Sequence, residues 1–201
     1  MLYKDWDVIL ERKRIRITPI QLEDEPAYGR LLLGDLYDRT VSMLGKTSTG
    51  IEEILNHTES AETHAIRLND ETFIGWITLQ KDPDGNPDIG ISLIQKYRNQ
   101  GIGPEAVALF VNRLNELYGI DRVYARITEH NIQSQKAFEK LGAVLDRREP
   151  DYRMKKVVDE LPGEQPIHDL YYYHIDLPVH FHPDNYCGDR FDDMIIRKSD
   201  R

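Results

Sequence analysis

The chain carries one cysteine, Cys187, in 201 residues, so no intramolecular disulfide holds it together and its fold needs no oxidising compartment. No stretch approaches the roughly 18 consecutive apolar residues of a membrane span. Met1 to Arg16 contains no apolar core of signal-peptide length, and a cytoplasmic location is the expectation. Positive charge is in deficit: 26 Lys and Arg against 35 Asp and Glu give a net charge of −9. That balance argues against nucleic acid or an anionic membrane as the partner. Internal repeats and low-complexity tracts are absent as well. What remains is globular in proportion, with 40% hydrophobic and 30% charged residues, enough for one well-filled domain. The acidity is uneven. Residues 95 to 148 hold nine basic and six acidic side chains, net +3, which leaves −12 on the rest, so a local anion site fits inside an acidic protein.

Hydrophobic periodicity orders the elements. Arg14 to Thr18 alternates as a strand does, and Leu22 to Leu33, with Glu23, Asp24 and Glu25 at its start, reads as a helix. Ser48 or Thr49 suits the cap of a short helix running to about His57. His64 to Leu68 and Thr72 to Gln80 are strand-like runs around a turn at residues 69 to 71, and the turn signal Asp82 to Pro87 leads into a strand from Asp88 to Ile94. From Ile102 the period becomes helical, with Ile102, Ala106, Leu109, Phe110, Leu114 and Leu117 on one stripe that ends at Gly119. Arg122 to Thr128 is a strand, Asn131 caps a short helix stopping at Gly142, and two more strands are expected to cover Val144 to Val158 and Ile167 to Leu177. This order implies an α/β domain around one mixed sheet. Residues 1–177 form the expected domain and 178–201, with His180, His182 and five acids, a C-terminal extension.

The chemically informative stretch is Arg98-Asn-Gln-Gly-Ile-Gly103-Pro104, between the strand ending at Ile94 and the helix from Ile102. Gly101 and Gly103 remove side chains where a ligand would approach the backbone, and the first helical turn leaves N–H groups without internal partners. Those donors, with the positive end of the helix dipole, suit a phosphate. Pro104 falls in the first turn, where a missing N–H costs nothing. A strand-to-helix turn that simply needs glycine is the plainer alternative. Two other phosphate motifs are excluded: the position three after Gly103 is Ala106, so there is no G-x-G-x-x-G, and Gly45-Lys46-Thr47 has Thr40 where a Walker loop needs its first glycine.

A second motif, Asn131-x-x-Ser134 through Phe138-Glu-Lys-Leu-Gly142, follows at the appropriate spacing. Together the two resemble the GNAT superfamily of N-acetyltransferases, with Arg98-x-x-Gly101-x-Gly103 similar to its acyl-CoA loop. The likeness extends from about Arg14 to Leu177, and its style is closest to the ribosomal-protein and polyamine-type enzymes. It implies a single domain with a mixed, mostly antiparallel sheet of six to seven strands, splayed central strands and about four flanking helices. It further implies that acyl-CoA lies between the strands at 88–94 and 122–128. The diphosphate would rest on the backbone of Arg98, Asn99, Gln100, Gly101, Ile102 and Gly103, and the pantetheine arm beside Leu93 and Ile94. Asn131 and Phe138 would border it. A plain helix cap is the other reading of Asn131.

The reaction that the resemblance implies is direct attack of a neutral amine on the thioester. An amine with a pKa near 10.4 needs a base to take its proton, backbone N–H groups to hold the oxyanion, and a hydroxyl to protonate the leaving sulfur. Many relatives use a tyrosine for the last task; here the position holds Phe138. Ser134 is the substitute, its alternative being a surface helix serine, with Tyr97 and Tyr152 as further hydroxyls. Asp88 is the candidate base, where relatives often carry an acid; a solvated residue after the proline turn is its plainer reading. Glu71 and Asp169 are weaker candidates. His180, His182, Asp184 and Cys187 fix no fourth metal ligand, and no metal is expected. Tyr171 to Tyr173 fits strand packing, with an acceptor pocket as its other use.

The leading expectation is therefore an acyl-CoA-dependent N-acetyltransferase. Its co-substrate is acetyl-CoA, its acceptor a small-molecule or protein amine, and a homodimer is compatible with the reading. The alternatives are a GNAT-like module that binds acyl-CoA with little or no catalysis, as a sensor or interaction domain, and an α/β domain whose glycine turn binds nothing.

Overall fold

The computed structural model describes residues 10–11, 13–33, 62–151 and 168–182. The helix expected from Ser48 or Thr49, Tyr152, Asp184 and Cys187 lie outside them. Among the described residues, eight strands form one sheet in the order β1-β2-β3-β4-β5-β6-β8-β7. They are β1 (Leu10–Glu11), β2 (Ile15–Pro19), β3 (Glu62–Leu68), β4 (Phe73–Lys81), β5 (Pro87–Leu93), β6 (Arg122–Thr128), β7 (Val144–Pro150) and β8 (Asp169–Asp176). All neighbours are antiparallel except β5 and β6, which run parallel. The strand beyond the six or seven expected is β1, whose two residues are too few to show an alternation. The described α-helices are α1 (Glu25–Leu33), α2 (Ile102–Tyr118) and α3 (Ile132–Lys140). Residues 22–24, expected as the start of α1, form a separate 3₁₀ turn.

Helix α2 fills the core against the sheet. Ile102, Ala106, Phe110 and Leu114 are buried, as their spacing predicts, and Val107 and Val111 widen the stripe. Leu117 falls on the same face but in the last turn, where it is 40% exposed. The chain beyond Leu177 continues into this core. Val179 and Phe181 are buried there, and the Asn112 amide of α2 clasps Val179, accepting from its N at 2.6 Å and donating to its O at 2.8 Å. The first residues of the expected extension thus pack against α2.

The β4–β5 hairpin aims the start of β5. Asp82 Oδ1 accepts from the backbone N of Asp84 (2.9 Å) and Asn86 (2.8 Å), and Oδ2 accepts from Asn86 Nδ2 (3.0 Å). Burial alone would raise the Asp82 pKa, but these hydrogen bonds, helped by the charge of Arg126, hold it below the usual carboxylate value. The stabilisation is therefore present above about pH 4 and is lost as pH falls through the lowered folded value. Asp82→Ala is expected to cost about 1–2 kcal/mol at pH 7, with a smaller gap to the parent at about pH 3. Urea unfolding at the two pH values checks it.

Candidate active site

Strands β5 and β6 pair at one position, Asp88 opposite Tyr124. From that point β5 stays in the ladder of β4 as far as Leu93, and β6 stays in the ladder of β8 as far as Thr128. The two strands therefore part as they run forward, and the edge of β5 beyond Asp88 has no partner on β6. The wedge opens into two adjoining clefts. One, of about 410 Å³, lies between the end of β5, the loop into α2 and α3. The other, of about 310 Å³, lies between β4, β5 and β6. Ile91, Asn131, Ser134 and Phe138 line both, so the clefts meet beneath the start of α3.

The loop that closes the larger cleft is shaped by two left-handed residues, Asn99 (φ 60°) and Gly101 (φ 72°). Asparagine tolerates that region better than most side chains, and glycine enters it freely. Gly101 is the N-cap of α2, which leaves the N–H groups of Ile102 and Gly103 without intrahelical acceptors. A Cβ on Gly103 would sit 3.7 Å from Leu93 Cδ1, an ordinary contact.

Charged groups brace this loop. Arg98 Nε donates to Leu93 O at 2.7 Å, which folds the loop back onto β5. Arg14 donates to Gln100 O at 3.1 Å and pairs with the buried Glu105 at 2.5 Å. The pair neutralises the carboxylate in the first turn of α2.

The sequence-predicted cofactor residues divide into two groups. Leu93, Arg98, Asn99, Gly101, Gly103, Asn131 and Phe138 line the larger cleft. Ile94, Gln100 and Ile102 line neither cleft. The side chain of Ile94 packs with the Tyr28 and Phe73 cluster, Gln100 Nε2 donates to Lys96 O at 2.7 Å, and Ile102 is buried in the main core. Asn131 has both expected positions at once: it caps α3, its Oδ1 accepting from Ser134 N at 3.2 Å, and it borders both clefts.

Asp88, the candidate base, lines the smaller cleft and is 2% exposed, so it is not the solvated residue that its place after a proline turn suggests. Its Oδ2 accepts from Arg126 Nη2 at 2.7 Å and from Gln80 Nε2 at 2.8 Å. Its Oδ1 is buried with no hydrogen-bond partner among the described residues. An open carboxylate oxygen in that position is costly unless a donor arrives to meet it. Ser134, the candidate acid, lies where the two clefts join.

The weaker candidates lie elsewhere. Glu71 pairs with Arg16 in the β3–β4 turn, and Asp169 and Tyr97 line neither cleft. Tyr173 is buried and donates to Glu139 at 3.2 Å. Burial first, then that carboxylate, push its pKa up to about 12. Tyr171 and Tyr172 lie under Arg148 and Arg147 at 4.5 and 3.9 Å from their ring centres, away from both clefts. Exposed His180 and His182 stand beside the core-packed Val179 and Phe181.

Sequence reasoning missed Arg126, Gln80, Arg14 and Glu105. Each is one polar residue on a strand or helix, and its role comes from a partner 8 to 91 positions away. Only the alternation of β6, which puts Arg126 on the face opposite Ala125 and Ile127, carried a hint.

The family described as acetyltransferase (GNAT) domain matches residues 14–144. A curated protein from Bacillus subtilis, the uncharacterised N-acetyltransferase YjdG, is 28% identical over 90 residues, 44% of this chain and 54% of that protein. The match thus spans about half of that relative's length. Among solved structures, a GNAT-family acetyltransferase from Bacillus anthracis superposes with a TM-score of 0.62 at 19% identity, covering 84% of this chain and 98% of the other. The ribosomal L7/L12 alpha-N-protein acetyltransferase RimL, in complex with coenzyme A, superposes with a TM-score of 0.64 at 16% identity over 85% of this chain and 99% of its own. A chimeric spermidine N-acetyltransferase SpeG, from Vibrio cholerae and human sequences, gives 0.60 at 13% identity over 86% and 97%. At these identities the structural likenesses establish the fold.

Proposed function

The chain belongs to the GNAT acetyltransferase family, and from that premise we propose that it moves an acetyl group from acetyl-CoA to a primary amine by direct attack. The observation that carries the reading is the single-point contact of β5 and β6 above the loop at 98–103. A parted pair of strands beside free helix-terminal amides suits a long thioester whose charge lies at one end. RimL was solved with coenzyme A, which supports the cofactor class. On this reading the amides of residues 101–103 hold the diphosphate, and the edge of β5 guides the pantetheine arm past Leu93 to the junction of the clefts.

The amine enters through the smaller cleft. Asp88 Oδ1 takes its proton, while Arg126 and Gln80 hold the other oxygen and keep the carboxylate oriented. Nitrogen bonds to the acyl carbon, and the oxyanion is met by N–H groups on the free edge of β5. As the carbon–sulfur bond breaks, the Ser134 hydroxyl passes its proton to the CoA thiolate and regains one from the nitrogen of the tetrahedral adduct, standing in for Phe138, which offers none. A thiolate with an ordinary pKa near 8.5 departs readily, so this last contribution is modest. Ser134→Ala is expected to lower thiol release by about tenfold with affinity for CoA unchanged; equal rates would remove Ser134 from the mechanism.

The charge balance favours one class of acceptor. With −12 outside residues 95–148, a cationic amine is favoured, such as a polyamine or a protein amino terminus. SpeG and RimL are named for such acceptors. The test is thiol release from acetyl-CoA across a panel of amines. Saturable release with at least one is the expected result; CoA that binds without turnover on any amine would overturn catalysis and favour an acyl-CoA-binding module.

A further inference from the structure

Outside the wedge, a second set of polar side chains converges. Glu129 and His130 occupy the turn that leaves β6, and His168 immediately precedes β8. The backbone holds this junction before any side chain acts. Glu129 N donates to Asp169 O (2.9 Å), Asp151 N donates to His168 O (2.8 Å), and Gln135 Nε2 donates to Glu129 O (2.9 Å). His168 Nδ1 then lies 2.8 Å from Glu129 Oε1 and 3.0 Å from His130 Nε2, and His130 Nε2 lies 3.5 Å from the same carboxylate oxygen.

With Glu129 ionised and each ring neutral, no arrangement of protons gives both close contacts, 2.8 and 3.0 Å, an N–H of its own. Each neutral imidazole has a single N–H. If His168 donates to Glu129, the His130 nitrogen presents its lone pair to a hydrogen already engaged. If the hydrogen lies between the two rings, whichever of them donates, the carboxylate has no N–H on its 2.8 Å contact. If both facing nitrogens carry hydrogens, two N–H groups oppose each other at 3.0 Å. A cation shared by all three removes the conflict. A tetrahedral ion with bonds of about 2.0–2.1 Å sets its ligands about 3.3 Å apart, and the observed separations, 2.8 to 3.5 Å, bracket that value.

We propose that Glu129, His130 and His168 bind a divalent first-row transition metal of the zinc class. Two imidazoles and a carboxylate are its usual ligands, and the exposed side chains of His130 and His168 leave the fourth position to water. The sequence expectation of no metal considered only the histidines of the tail. These three residues line neither cleft, so the inference stands independently of the proposed acetyl transfer. Their neighbours Thr128 and Asn131 do line the smaller cleft. An ion here would pin the β6–α3 turn, and with it Asn131, to the start of β8.

Titration of the full chain with Zn²⁺ alone by calorimetry, and with Co²⁺ by visible absorption, tests the site. The expected results are one saturable site, a cobalt spectrum of tetrahedral intensity, and a rise in melting temperature with Zn²⁺. The double variant His130→Ala with His168→Ala changes exposed side chains and should keep the parent's metal-free melting curve. It should bind Zn²⁺ at least about tenfold more weakly and lose the cobalt spectrum. The control His180→Ala with His182→Ala should bind like the parent. Absence of saturable binding in the parent would overturn the proposal. So would equal affinity in the first double variant, or loss of the site only in the second.

Discussion

Gly103→Glu is expected to lower affinity for CoA by about 100-fold or more, with little change in the melting temperature. The added Cβ meets only Leu93 Cδ1 at 3.7 Å, so the backbone need not shift. Glutamate is also a better helix residue than glycine, and in the first turn of α2 its charge is favourable to the helix dipole. The fold loses nothing. The carboxylate, however, projects into the cleft that Gly103 lines, where the proposed diphosphate must lie. At 4–6 Å and an effective dielectric of about 20, two like charges repel by roughly 3–4 kcal/mol, and about 2.7 kcal/mol already corresponds to a hundredfold. Gly103→Ala supplies the control, adding bulk without charge, and should bind CoA within a few-fold of the parent. Calorimetry on the three proteins decides the matter: equal affinity for the glutamate variant contradicts placing the diphosphate on this loop.

The second large effect belongs to Asp88. Asp88→Asn keeps the shape of the side chain and removes its basicity. Turnover should fall by about 10²–10⁴-fold while affinity for CoA, bound in the neighbouring cleft, stays near that of the parent. Asp88→Ala goes further, because it leaves Arg126 partnerless in a position where the ion pair is 3% and 14% exposed at its two side chains. Breaking such a pair costs about 3–5 kcal/mol, and the contact between β5 and β6 lies at the same residue. The alanine variant should therefore unfold at distinctly lower urea concentration. Near-parental kcat in the asparagine variant would show that Asp88 is structural, holding the apex of the wedge, and that the base lies elsewhere.

Much of the scaffold is legible in residue order because its signals are local. Arg122 to Thr128 alternates over its whole length and is a strand over those residues. Of the stripe from Ile102 to Leu114 every member is buried except the half-buried Leu109, and Gly119 ends α2 in a left-handed conformation (φ 64°). The reading is weakest where an element has no internal period, as in the two residues of β1, or where packing rather than pattern sets the boundary, as at Val179 and Phe181.

The site divides along the same line. Glycines at 101 and 103 before an amphipathic helix, and Asn131 three residues before Ser134, are chemical signals contained in a few adjacent residues. Order along the chain determined an α/β domain, a glycine turn before its long helix and a family likeness. The tertiary structure decided what no local pattern encodes: that β5 and β6 touch at Asp88 and then part, that Arg126 and Gln80 take one oxygen of that carboxylate and leave the other, and that Glu129, His130 and His168 share a few ångströms of space. Those facts depend on strand register between positions 8 to 39 residues apart, where the backbone ladder, and not the nearby sequence, chooses which side chains meet.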